Sequence, residues 1–316
     1  MKTSNLNEAV RTLSIDRLNS YKSYFNLNNY EECLSLYLWN DAMSSSYFKL
    51  ISIFEVAFRN TLHRELSHQF HSHMTLGHIF DNDWYTHLSS SGIINPTTIK
   101  ILEQTTHQRV STRSGARPIK VAKSPPPPPG KVISAQSIGF WVKLIETTNT
   151  SIDWKTIFFN GFKGHFANNA SYWDTIAIDD LLMRLEQITE LRNRIAHHEP
   201  LWKFTAITHQ RTNVLIYPSA LTPSESISRM QTLHHRICLI LGWISQDRKN
   251  DYLNSSYKKN FDWLCRESTI ELFKSLENIP SYPLSKAKRD LNNVMKNNHF
   301  FEIKNRDATF LLTRNI

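Results

Sequence analysis

Apolar residues recur along this chain every three or four positions, over long stretches. That period lines one face of an α-helix. Residues 8–27 put Leu13, Leu18, Tyr21 and Phe25 on one side, and residues 30–40 do the same with Cys33, Leu34, Tyr37 and Leu38. A longer run over 41–70 carries Leu50, Phe54, Ala57, Phe58 and Leu62. Further on, 138–147 presents Phe140, Trp141 and Leu144, and 175–198 presents Leu181, Leu185, Ile188 and Ile195. A helix over 225–244 has Leu233, Ile237, Ile240, Leu241 and Ile244 on its face, with Ser224 as its expected N-cap. Between these lie Trp154, Phe158, Phe159, Phe162 and Phe166, aromatic bulk that reads as core rather than as a base-stacking platform.

Two stretches depart from the pattern. Residues 104–136 interleave Arg109, Arg113, Arg117, Lys120 and Lys123 with Ser, Thr and Gly, followed by five prolines from Pro125 to Pro129. With no apolar period there, a mobile basic loop followed by an extended polyproline spacer is expected. Such a loop is suited to a phosphate backbone, and equally to being a solvated linker. The last seventy residues predict helices at 262–278 and 284–297, separated by Pro280 and Pro283. Residues 300–304 and 309–312 could pair as a small hairpin around Asn305-Arg306-Asp307. The pattern predicts an all-α helical bundle over 1–245, interrupted by the 104–136 loop, and a helical C-terminal extension over 246–316.

Composition narrows the function classes. Only 8 glycines among 316 residues support the helical reading. A net charge of +9 suits a polyanionic partner such as RNA, though it also serves solubility. Cys33, Cys238 and Cys265 have no paired spacing and read as reduced thiols. With no apolar run of membrane-span length and no signal-peptide core in the first ten residues, no membrane association is expected and the reading is cytoplasmic. Histidines crowd 63–87, at His63, His68, His71, His73, His78 and His87. His68 and His71 share a helical face, but no acidic or cysteine ligand stands nearby to complete a metal site. No metal or cofactor is expected.

The chemistry concentrates in Glu190-Leu191-Arg192-Asn193-Arg194-Ile195-Ala196-His197-His198-Glu199-Pro200. Pro200 disfavours the helical conformation at Glu199 and so ends the helix. On a wheel of about 100° per residue, Glu186, Glu190, Asn193 and His197 share a stripe. Arg192 falls beside Leu181, Leu185 and Ile188 instead. A guanidinium there needs a carboxylate or an anion. It also lies more than roughly 90° around the wheel from His197. A bent helix end, or a second copy of the helix, would be needed to aim both at one point. A weaker echo stands on the earlier helix, where Arg59-Asn60 is followed by His63, with Glu55 at i−4 from Arg59 as a supporting helix pair.

Arg192-Asn193, three further residues and His197 resemble the Arg-x4–6-His signature of HEPN ribonucleases, in which a polar residue follows the Arg. The run LRNRIAHHEPLW, from Leu191 to Trp202, is similar to the version in Abi-like abortive-infection proteins. Ser137-Ile138-Gly139-Phe140-Trp141-Val142 with Trp154 resembles other segments of that family. So do Leu36-Tyr37-Leu38-Trp39-Asn40 and Phe54-Glu55-Val56-Ala57-Phe58-Arg59-Asn60. The resemblance covers most of residues 15–240. It implies a HEPN-like bundle, a homodimer with the motif repeated across a shared cleft, and metal-independent endoribonuclease activity in an anti-phage or toxin-like system. An antitoxin or regulatory RNA could hold such a protein off.

RNA cleavage suits these residue types. The 2′-OH attacks the adjacent phosphorus, so a guanidinium is needed where charge builds and a histidine where a proton moves. Arg192 fits the first role and His197 the second. Asn193 could orient His197 or bond a phosphate oxygen. Glu190, His198, Arg59, Asn60 and His63 are supporting candidates. Two alternatives stand beside this. The motif could merely end a helix, with Arg192 in an ion pair, or the chain could be a non-catalytic RNA-binding or regulatory module.

Overall fold

The computed structural model describes residues 5–111, 117–148, 150–208, 213–274, 281–297, 300–305 and 308–313. It is 68% helical, with only small sheets, so the all-α expectation holds.

The first expected helix is two. Ser14 adopts a left-handed φ of 70°, which separates α1 (Leu6–Leu13) from α2 (Ile15–Phe25). The next two expected helices are one, α3 (Tyr30–Gln69). No glycine or proline interrupts it, and Asn40, the last residue of the first of those expected helices, lies inside it. Its side chain accepts from the Leu201 backbone N–H at 2.7 Å.

A tight ribbon follows, β1 (Gly77–His78) with β2 (Asp81–Asn82). At Gly77 φ is +98° and a Cβ would sit 2.0 Å from the Asp81 carbonyl oxygen, so only glycine fits. Then come α4 (Trp84–Ser90) and α5 (Pro96–Thr106), the latter capped by Asn95 with proline at N1.

The expected mobile loop holds regular structure. β3 (His107–Val110) and β4 (Ile119–Ala122) form an antiparallel ribbon that pairs Arg109 with Lys120 and Val110 with Ile119. The proline run does not stay extended to its end, because Pro129 opens α6 (Pro129–Ser134). Proline is preorganised for that first helical position.

Next are α7 (Ile138–Thr148), α8 (Trp154–Gly161) and α9 (Thr175–Ala196). A short ribbon of β5 (Ile207–Thr208) and β6 (Leu215–Tyr217) precedes α10 (Pro223–Ile244). Here Pro223 is inside the helix and Thr222, not Ser224, caps it, its hydroxyl accepting from Glu225 N at 3.3 Å. The extension gives α11 (Gln246–Leu253), α12 (Ser256–Leu264), α13 (Glu267–Lys274) and α14 (Leu284–Asn297). The single helix expected over 262–278 is thus two, broken at Cys265. The expected terminal hairpin is present as β8 (Phe300–Asn305) and β9 (Ala308–Thr313), and β7 (Ser281–Pro283) adds a parallel third strand.

The chain divides into two compact units. One comprises 1–47, 194–232 and 254–316; the other comprises 48–193 and 233–253. In the first, Trp202 is buried between Tyr24, stacked at 4.3 Å, and the edges of Tyr21 and Phe25. Trp39 donates its indole N–H to the Leu264 carbonyl, which ties part of the extension into this core. The second unit is centred on Phe54, Phe58, Trp84, Trp141, Trp154, Phe158, Phe162 and Trp173, all essentially buried. Trp154, Phe158 and Phe162 are therefore core as expected, whereas Phe166 is 71% exposed.

Candidate active site

Helix α9 buries Ile178, Leu181, Leu182, Leu185, Ile188 and Leu191 in an unbroken apolar stripe, which holds it firmly. Asp174 starts it by accepting from the Ala177 N–H at 2.9 Å. Near its other end, Arg192 is where the wheel puts it, beside the apolar stripe, with its side chain 38% exposed. Its carboxylate partner is Glu55 of α3, with Nε 4.0 Å from Oε1. That is a charge pair looser than a hydrogen bond. The Arg192 Nη1 donates to Asn193 Oδ1 at 3.4 Å, and Asn193 is itself exposed. Both residues belong to the second unit. Glu190 is exposed one turn earlier.

The helix stops two residues before the expected His198. The His198 N–H bonds to the Ile195 carbonyl at 3.1 Å, and the Glu199 N–H reaches the Arg194 carbonyl at 2.8 Å. This 5→2 and 6→1 pair is a Schellman cap, and it ends the helix before Pro200 can. His198 occupies its left-handed position with φ 54°, where glycine is usual. Arg17 of α2 donates to the His198 carbonyl at 3.0 Å. Beyond it, Leu201 and Trp202 are buried in the first unit and anchor the reversed chain. His197, just past the last helical residue, is exposed and has no partner among the described residues. An imidazole so placed is available for proton transfer.

The echo on α3 is built differently. Glu55 does not take Arg59 as its ion-pair partner; among the described residues that partner is Arg192. Arg59 donates from Nη1 to the Ser134 carbonyl at 2.9 Å, at the end of α6. Asn60 is exposed. His63 is buried and engaged at both ring nitrogens. The Trp84 indole N–H donates to Nδ1 at 2.9 Å, so the proton is on Nε2, which lies 2.8 Å from Asp81 Oδ1. Burial pushes the His63 pKa down, against the opposing pull of Asp81. A neutral histidine held this way joins β2 and α4 to α3.

Of the basic candidates of 104–136, Arg109, Arg117, Lys120 and Lys123 sit on or beside the β3–β4 ribbon. Arg109 and Arg117 are exposed. Lys120 pairs with Glu103 of α5 at 2.8 Å, and Lys123 donates to the Thr105 carbonyl at 2.6 Å. Arg113 lies outside the described residues. Sequence reasoning missed the Glu55–Arg192 pair, because the two are 137 positions apart and the helical spacing on α3 offers Arg59 as the nearer partner.

A family model described as Abi-like protein matches residues 8–203, a span that contains the whole motif and closes just after Trp202. No curated protein and no solved structure matches the chain.

Proposed function

The chain belongs to the Abi-like protein family, and from that premise we propose that it acts in abortive infection as a metal-independent endoribonuclease of HEPN type, with Arg192 and His197 as its catalytic residues. The observation that carries this reading is the Arg192-Asn193-x-x-x-His197 run itself, in which the histidine is exposed and has no partner among the described residues, and the guanidinium is accessible beside its carboxylate. In the proposed reaction the 2′-oxygen bonds to phosphorus and the P–O5′ bond breaks. The 2′-OH proton passes to a base and O5′ gains one from an acid. The products are a 2′,3′-cyclic phosphate and a 5′-OH. Arg192 stabilises the charge that grows on the phosphoryl oxygens, and His197 handles a proton. Asn193 bonds a phosphate oxygen or steadies Arg192, with which it already shares a hydrogen bond. RNA is the proposed substrate, a second copy of the chain the proposed partner, and an antitoxin or regulatory RNA the proposed restraint.

Total RNA incubated with the purified protein in EDTA, with the new ends mapped, tests this. Wild type is expected to leave cyclic-phosphate ends, and Arg192→Ala and His197→Ala to leave the RNA intact. Cleavage that survives both substitutions, or that EDTA abolishes, would refute the assignment. RNA binding with no cleavage by wild type would favour the non-catalytic module, for which the exposed Arg109 and Arg117 on and beside the β3–β4 ribbon speak.

A further inference from the structure

Glu55 lies within the run that resembles a family segment, but nothing above gives it a functional role. The spacing on α3 assigns it to Arg59, yet its carboxylate goes elsewhere. One oxygen, Oε1, lies 4.0 Å from Arg192 Nε and accepts from the Ile138 N–H at 3.4 Å. Ile138 is the first residue of α7, so that bond satisfies one of the N–H groups a helix start leaves unpaired. Arg59, one turn along, is drawn off by the Ser134 carbonyl.

We propose that Glu55 is a positioning residue for Arg192. It is fixed by the backbone of α7 and in turn fixes the guanidinium. This rests on the cleavage reading above and goes further by naming what aims the arginine. The geometry has three parts. The carboxylate is 25% exposed and anchored by a backbone N–H, so its position is set by packing rather than by a mobile side chain. It faces the Nε side of Arg192, while Nη1 turns to Asn193 and Nη2 has no partner among the described residues. A planar guanidinium drawn at Nε toward a carboxylate and at Nη1 toward Asn193 is biased to one orientation, with Nη2 directed to a phosphate oxygen.

The charge carries a second consequence. A carboxylate beside Arg192 lowers the positive potential offered to RNA. It therefore weakens ground-state binding while it orders the group used in the transition state. Positioning and affinity should separate when the charge is removed.

Glu55→Gln makes that separation. Its amide oxygen can still accept from Ile138, so the start of α7 is kept and only the charge is lost. The expected result is a kcat reduced by about tenfold to a hundredfold, the scale of a misplaced catalytic group, with KM for RNA unchanged or lower. A second measurement does not depend on cleavage. The Arg192 Nε–H resonance, identified as the one lost in Arg192→Lys, should be sharp and slow to exchange in wild type and averaged in Glu55→Gln. A Glu55→Gln protein with wild-type kcat, or with an Arg192 Nε–H as ordered as in wild type, overturns the proposal. If wild type and His197→Ala both leave RNA intact, the cleavage reading fails, and the resonance alone decides whether Glu55 positions Arg192. Loss of folding in Glu55→Ala with Glu55→Gln folded would show the cap to α7, and the Glu55→Gln readings would still settle the charge.

Discussion

His198 holds a conformation its side chain does not favour. Its φ of 54° is the left-handed position of a Schellman cap, where a Cβ costs about 1 kcal/mol relative to glycine. His198→Gly should therefore raise the urea midpoint by an amount equivalent to about 1 kcal/mol and leave RNA cleavage intact. A large loss of cleavage in that variant would move the proton-transfer role from His197 to His198. His63 gives a prediction of the opposite kind. Burial lowers its pKa from the ordinary 6.5, so the folded state resists the proton more than the unfolded chain does. The stability this contributes is complete above the unfolded value and is lost as pH falls through the lower folded value. Urea midpoints should fall in wild type as the pH drops below the ordinary histidine value of 6.5, and fall less in His63→Gln. At neutral pH the variant should itself be weaker by about 1–3 kcal/mol, because Trp84 and Asp81 lose a buried partner. An identical pH slope in the two proteins would show that another group carries the acid sensitivity. At this scale the sequence named the motif residues but not their partners. Glu55 with Arg192, and His63 with Trp84 and Asp81, are set by packing between elements that spacing along one helix does not report.

At the scale of elements, the apolar period found helices well and their ends less well. α9 and α10 lie nearly where the pattern puts them, because each buries a continuous stripe. The errors share a cause. Both departures turn on backbone that spacing does not report: the boundary expected after residue 40 lies inside α3, and Ser14, inside an expected helix, has a left-handed φ. The β3–β4 ribbon was hidden because each strand is only four residues long and Val110, Ile119 and Val121 are too few to show alternation among so many charges. The ribbon sorts the basic residues by availability. Lys120 and Lys123 are engaged by α5, while Arg109 and Arg117 are exposed. If the ribbon meets RNA, Arg109→Ala and Arg117→Ala should each flatten the log–log salt slope of binding by about 0.7–0.9. Lys120→Ala should change it less. Slopes unaltered by both arginine substitutions would remove the ribbon from the RNA surface.

At the scale of the whole molecule, the motif straddles the division of the chain. Arg192 and Asn193 belong to one compact unit and His197 to the other. The helical wheel already puts Arg192 and His197 on different faces of α9, with the histidine just past the helix end. That placement on different faces motivates the expectation that a second protomer completes the site, with both copies of the motif facing a cleft near a two-fold axis. A mixed dimer of Arg192→Ala and His197→Ala chains tests this. It holds one intact arginine and one intact histidine, on opposite chains. If each cleft draws its arginine from one protomer and its histidine from the other, one full set survives and up to about half of the activity per dimer should return, since a C2 dimer has two equivalent sites. If each chain supplies its own pair, no set is complete and the mixture stays as inactive as either parent. Neither substitution removes a fully buried side chain, so both parents should keep the wild-type fold and dimerise alike, which sedimentation checks. A wild-type protein that cleaves RNA while sedimenting as a monomer at every concentration would dismiss the shared cleft and leave Arg192 and His197 to act within one chain.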